Sequence, residues 1–201
     1  MQTDQGCINY NLQAPGRHMV LNSLAVLAAL SALSLNIEIG MAALADFQPL
    51  AGRGQELDLI FDGKRVRLID EAYNANPTSM AFALELLGAQ TGGRRIAVLG
   101  EMLELGEDAA SYHDALAAVI LDQAIDRIYV IGALYLGLWK ALPDHCRGIH
   151  ADRVEQLWDH LRADLQDGDT VIAKGSHGSG IHALVTQLKC QSQDTETVEM
   201  R

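Results

Sequence analysis

From residue 64 onward, short β-prone runs alternate with amphipathic stretches of helical length, and no other feature restricts the fold as much. Strands separated by helices of about 10 to 15 residues are the pattern of βαβ units, which close as a parallel sheet with helices on its faces. The first unit is the clearest. Val66, Leu68 and Ile69 form a run ending on Asp70, a polar loop follows, and Asn76-Pro77 opens a stretch carrying Ala81, Leu84 and Leu87. Asparagine is a good N-cap, and proline suits the first helical position because the N–H it lacks has no partner there. In open α/β sheets ligands collect at the carboxyl ends of strands, and Asp70, Tyr73, Asn74 and Asn76 fall at that end of this unit. Composition reads the same loop equally well as a plain turn, since asparagine and proline are ordinary turn residues.

The same reasoning places further strands at residues 95–99, 127–131, 147–150 and 169–173. It places helices at 108–124, 133–142, 152–165 and 181–188. Asp152 is the expected cap of the 152–165 helix, with Glu155 placed to answer it. Asp62-Gly63, between the β-prone runs 57–61 and 64–69, signals a tight hairpin and so an antiparallel edge. Residues 1–45 break the pattern. They offer a short strand at 7–12, a helix at 18–35 apolar enough for burial on more than one side, and a second helix at 39–46. The loop at 48–55 carries Arg53 between Gly52 and Gly54, and its stretch from Pro49 to Gln55 is the expected hinge. The expected organisation is therefore a remnant of one domain over 1–46, a mostly parallel, Rossmann-like α/β domain over 47–190, and a disordered polar tail over 191–201.

A net charge of −11 with 5% aromatics argues against binding to nucleic acid. No uninterrupted apolar run reaches the length of a membrane span, and no cleavable signal stands at the start. Cys7, Cys146 and Cys190 are odd in number and contain no CxxC pair, which points to a reducing, cytoplasmic setting. His145, Cys146 and His150 read better as a solvated strand end than as a metal site. Val98-Leu99-Gly100 ends a strand, but the next glycine is Gly106, so no dinucleotide fingerprint is complete, and no P-loop occurs. Lys174-Gly175-Ser176 lies between a strand and a helix, where it serves either as an anion-holding turn or as a simple connection. The loop carrying Glu101, Glu104 and Glu107 reads as solvated before it reads as a site for metal-bound phosphate.

Taken together, these stretches resemble the Mur ligases. The carriers are Gly16-Arg17-His18-Met19-Val20-Leu21-Asn22-Ser23, then Gly52-Arg53-Gly54-Gln55, then Asp70-Glu71-Ala72-Tyr73-Asn74-Ala75-Asn76-Pro77. Gly100-Glu101-Met102-Leu103-Glu104-Leu105-Gly106 with His113, and Lys174-Gly175-Ser176, complete the set in register. The Tyr-Asn-Ala-Asn-Pro and Met-Leu-Glu-Leu-Gly forms point to the branch that adds D-Ala-D-Ala to UDP-N-acetylmuramoyl-tripeptide in peptidoglycan precursor synthesis.

The resemblance implies an ATP-dependent amide ligase working through an acyl phosphate. It implies ATP and magnesium as cofactors of the whole enzyme, with the P-loop and the magnesium ligands in upstream domains rather than in this chain. Arg53, Lys174 and Ser176 are the implied catalytic residues. Asn22, Arg53 and Asp70 are the implied contacts to adenine, γ-phosphate and ribose. Tyr73, Asn74, Asn76, Lys174 and Ser176 are the implied substrate contacts, and no metal is implied on this chain. Met19, Glu101 and His177 depart from the family's usual asparagine, aspartate and basic residue. Two other readings compete: a free-standing nucleotide- or peptide-binding module, and a related amide ligase of the folylpolyglutamate or cyanophycin type. Tyr73-Asn74-Ala75-Asn76-Pro77 argues against the last, and a P-loop in the reading frame upstream of Met1 would exclude the module.

Overall fold

The computed structural model describes residues 2–3, 6–14 and 16–192; most of the tail expected at 191–201 lies outside the described residues. The chain divides into two compact units between Leu50 and Ala51.

In the first unit, β1 (Gln2–Thr3) and β2 (Gly6–Cys7) make a two-residue antiparallel ladder. The strand expected over 7–12 therefore shrinks to its first residue, and 8–13 are irregular. Helix α1 (Arg17–Ala32) stops short of Leu35 because Ser34 takes φ 56° and the Leu35 N–H closes back on the Leu30 carbonyl at 2.9 Å. Helix α2 (Ile37–Ala45) is capped by Asn36, whose side chain accepts the Glu38 N–H at 2.8 Å. Gly40 of α2 sits against the side-chain ends of Leu27 and Leu30 of α1, so a larger residue there would require those leucines to shift. The burial expected on several sides of α1 is not found. Leu27 and Ser23 are buried, while Val20, Leu21 and Val26 are each about half exposed.

The second unit holds one six-stranded sheet. Its strands are β3 (Gln55–Phe61), β4 (Lys64–Glu71), β5 (Arg95–Gly100), β6 (Arg127–Ile131), β7 (Arg147–Ala151) and β8 (Thr170–Lys174). Their order in the sheet is β3-β4-β8-β5-β6-β7. Only the β3–β4 hairpin pairs antiparallel. Asp62 and Gly63 turn it with φ of 51° and 79°, the left-handed pair that the strand twist demands.

Helices α3 (Pro77–Gly88), α4 (Ala109–Asp122) and α5 (Leu136–Ala141) cover one face of the sheet through Met80, Leu84, Leu87, Leu116, Ile120 and Leu138. Helices α6 (Glu155–Asp164) and α7 (Ile181–Gln191) cover the other through Leu157, Leu161, Leu184 and Leu188. Side chains alternate between the two layers along each central strand. Ile96 and Val98 enter one, Ala97 and Leu99 the other, as a parallel sheet buried on both faces requires. Leu84 and Leu87 are fully buried, so each contributes about 2 kcal/mol of hydrophobic stabilisation, and truncating either to alanine removes about 2–5 kcal/mol.

Two local expectations are corrected. Residues 133–142 begin with a 3-10 turn, Ala133–Tyr135, and only then become α5. Asp152 does not cap α6. The side-chain oxygen of Gln156 instead accepts the N–H groups of Asp152 and Arg153 at 3.0 and 3.2 Å, and the helix starts at Glu155.

Candidate active site

Strand β8 is inserted between β4 and β5, and it is followed by a helix on the opposite face from those that follow its two neighbours. The chain therefore leaves the carboxyl ends of these strands toward opposite faces, the topology at which open α/β sheets bind ligands. Asp70-Glu71, Gly100-Glu101 and Lys174-Gly175-Ser176 end the three strands there.

The loop after β4 is fixed by the start of α3. Asn76 accepts the Ser79 N–H at 2.8 Å, Ser79 Oγ accepts the Asn76 N–H at 3.1 Å, and Pro77 is the first helical residue. Asn76 thus uses its side-chain oxygen on the helix. Asn74 turns its own side-chain oxygen to the Ala75 N–H at 2.8 Å and offers its carbonyl to Lys174. Gly52 adopts φ 75° and its carbonyl accepts the Tyr73 N–H at 3.1 Å, which brings Arg53 over the loop. The Arg53 guanidinium lies 4.0 Å from the centroid of the Tyr73 ring, and both residues are exposed. A guanidinium packed over an aromatic face keeps its N–H fork for an anion.

Lys174 is 2% exposed, and its Nζ donates to the Asn74 carbonyl at 3.0 Å and to Glu71 Oε2 at 3.3 Å. Burial pulls its pKa below the ordinary lysine value; Glu71 opposes that shift and Arg53 adds to it. Ser176, buried, donates its N–H to the Glu101 carbonyl and accepts the Leu103 N–H on Oγ, both at 3.0 Å. Glu101 uses its side chain within the chain, where Oε1 accepts the Leu134 N–H at 2.8 Å. His177 faces Tyr73 at 6.4 Å between ring centroids and stacks on His182 at 4.1 Å.

The structure thus brings together Arg53, Tyr73, Lys174 and the Asn74 carbonyl, with Ser176 on the next turn. Asp70 is engaged elsewhere. It is 2% exposed, with Oδ2 accepting from Lys189 Nζ at 2.8 Å and Oδ1 accepting the Ala72 N–H at 3.2 Å. Successive residues of a strand point to opposite faces, so Asp70 meets α7 while Glu71 meets Lys174. Glu71, Lys189 and His182 escaped the sequence reading of the site. The alternation along β4 was the available signal for Glu71; nothing local marks the other two. Asn22 is exposed on α1, in the first unit, and Met19 beside it is half-buried.

A family model, Mur ligase, glutamate ligase domain, matches residues 52–177. The chain belongs to the Mur ligase family. Among its relatives, the UDP-N-acetylmuramoyl-tripeptide–D-alanyl-D-alanine ligase of Rickettsia prowazekii is 31% identical over 169 residues, 84% of this chain and 37% of that protein. Among solved structures, MurF from Acinetobacter baumannii superposes with a TM-score of 0.78 at 25% identity, covering 92% of this chain and 40% of that one. MurF from Thermotoga maritima in complex with ADP gives 0.75 at 22% identity, covering 94% of this chain and 42% of that one, which shows the shared fold. This Mur ligase chain therefore spans well under half the length of the relatives it matches. No helix among the described residues is long and apolar enough to cross a membrane.

Proposed function

We propose that this chain is the C-terminal part of a cytoplasmic, ATP-dependent ligase that joins D-Ala-D-Ala to UDP-N-acetylmuramoyl-tripeptide in peptidoglycan precursor synthesis. The reading rests on one observation above all. A Mur ligase chain carries Arg53, Tyr73, Glu71 and Lys174 together at the strand ends where such a sheet binds its ligand.

ATP supplies the phosphoryl group that converts the tripeptide carboxylate to an acyl phosphate, which the amine of D-Ala-D-Ala then displaces. Arg53 fits the charge that develops on a transferred phosphoryl, because its planar fork gives two parallel hydrogen bonds to phosphate oxygens. Lys174 and Ser176 hold the acceptor side, and Tyr73, Asn74 and Asn76 line the loop between the two. Asn22 meets adenine. Asp70 meets the ribose by exchanging Lys189 for a hydroxyl, since both of its oxygens are engaged within the chain. Among the described residues, no group of three or more His, Cys, Asp or Glu side chains is placed to hold a metal ion. In this reading magnesium and the P-loop belong to upstream domains, as the resemblance implies, and residues 1–46 to the end of the ATP-binding domain.

The test compares this chain with a longer polypeptide that includes the upstream domains. Each is incubated with ATP, magnesium, the UDP-linked tripeptide and D-Ala-D-Ala, and phosphate and amide product are measured. The expected result is turnover by the longer polypeptide alone, dependent on both substrates. Turnover by the short chain above a heat-treated control, or none by the longer one, overturns the reading.

A further inference from the structure

His113 is fully buried in α4 and has no part in the roles assigned above. Both of its ring nitrogens are engaged. Nδ1 lies 2.7 Å from the carbonyl oxygen of Ala109, which only accepts, so Nδ1 carries a proton. Nε2 lies 2.9 Å from the Met102 N–H, which only donates, so Nε2 offers its lone pair. The two contacts together select the neutral ring with hydrogen on Nδ1. Tyr135 meets the ring edge-on at 4.7 Å between centroids, and its hydroxyl donates to the Gly100 carbonyl at 3.0 Å.

The segment gripped by His113 and Tyr135 is the one that holds Ser176. Glu101 gives its carbonyl to the Ser176 N–H, and Leu103 gives its N–H to Ser176 Oγ. Met102 stands between them, buried, with its N–H on His113. A buried N–H that loses its acceptor turns toward a new one, and rotating the Met102 amide would move both contacts to Ser176. Ser179 extends the link, since its N–H and Oγ both reach the Ser176 carbonyl, at 2.9 and 2.6 Å.

We propose that His113 is a positioning residue: through Met102 it fixes residues 100–103, and through them it holds Ser176 beside Lys174. The functional weight of that placement rests on reading the Lys174-Gly175-Ser176 turn as the acceptor side. The measurement of placement itself does not.

Long-range proton–nitrogen NMR of the full chain at pH 7 is expected to show His113 neutral, with hydrogen on Nδ1. In amide exchange, His113→Leu is expected to speed Met102, Leu103 and Ser176 by about tenfold while Tyr129 and Val130 in β6 keep wild-type rates. His113→Gln, which retains an acceptor at similar reach, should restore most of the protection. In the longer ligase, His113→Leu should lower kcat about tenfold with the KM for ATP unchanged, and His113→Gln should recover it. A charged ring, a ring with hydrogen on Nε2, wild-type exchange in His113→Leu, or loss of protection spread evenly over the core each overturns the proposal. If His113→Leu does not fold, His113→Asn decides, because its side chain is too short to reach the Met102 N–H and should speed exchange at Met102, Leu103 and Ser176 in the same way. Altered exchange with unaltered kcat upholds the positioning and counts instead against the acceptor role of the turn.

Discussion

Glu71 and Lys174 are partners in the β4–β8 register, and their side chains meet at 3.3 Å with exposures of 11% and 3%. An ammonium at that depth depends on its carboxylate, because the solvation it has lost is far larger than one carbonyl contact returns. Glu71→Leu is expected to cost about 3 kcal/mol, read as a lower urea midpoint at unchanged slope. Glu71→Leu combined with Lys174→Met should recover most of that loss, since the double variant buries no charge. A double variant as unstable as the single one would show that the pair contributes by packing rather than by charge.

Asp164 ties the sheet edge together through Arg94, Arg127 and Tyr129, at 3.2, 3.0 and 2.7 Å. Burial raises its carboxyl pKa, but the bonds from Tyr129, Arg94 and Arg127 outweigh that and hold it below the ordinary aspartate value. A carboxylate with a depressed folded pKa adds stability above its unfolded pKa and loses it as pH falls through the folded value. Unfolding free energy should therefore drop as pH falls from 3.8 through that lower value. Asp164→Asn should flatten this part of the acid limb and cost about 2 kcal/mol at pH 7, measured by urea unfolding across pH.

Asp70 and Lys189 give a prediction with opposite signs. Lys189→Ala removes the cation on Asp70 Oδ2, so the chain should lose about 2 kcal/mol of stability. If Asp70 exchanges Lys189 for ribose, the same variant in the longer ligase should lower the KM for ATP, and Asp70→Asn should raise it. Arg53→Lys keeps the charge but loses the fork and its packing over Tyr73, so turnover should fall about tenfold or more. Steady-state kinetics of the three variants check all of this, and an unmoved KM in both Lys189→Ala and Asp70→Asn would separate Asp70 from the nucleotide.

What sequence revealed here is what short-range chemistry decides. The Asp62-Gly63 hairpin and the Asn76-Pro77 start of α3 follow from the φ values and capping bonds those residues favour, and both stand in the structure. So does the mostly parallel sheet with helices on both faces, because strand and helix periods alternate along the chain. The insertion of β8 between β4 and β5 was not legible, since it depends on pairing between segments far apart in the chain, Arg67 with Thr170 and Arg95 with Thr170. The site shares that limit. Arg53, Tyr73 and Lys174 could be named from their motifs, but the link from His113 through Met102 to Ser176 exists only once β5 and β8 lie side by side. Asp70 shows the same limit from the other side: its place at a strand end was legible, but its partner Lys189, more than a hundred residues away on α7, was not.

Gly175 offers the sharpest test of how closely the site depends on the sheet. A Cβ there would lie 2.8 Å from Gly100 Cα, 3.0 Å from the Gly100 carbonyl carbon and 2.7 Å from Ser179 Oγ. The serine hydroxyl can rotate away, but Gly100 is backbone in β5 and cannot. Gly175→Ala should therefore push the carboxyl ends of β5 and β8 apart and cost about 2–3 kcal/mol. It should also displace Lys174 and Ser176, and a misplacement of about 1 Å at a reacting site costs roughly a hundredfold in rate. Gly178→Ala is the control, because its Cβ would meet only Leu103 Cδ1, at 2.8 Å, at the end of a side chain that can move. Urea unfolding of the chain and kcat of the longer ligase are the measurements. The two glycines should separate by well over 1 kcal/mol in stability and by more than tenfold in kcat, and equal effects would mean that the β5–β8 contact does not set the geometry of the turn.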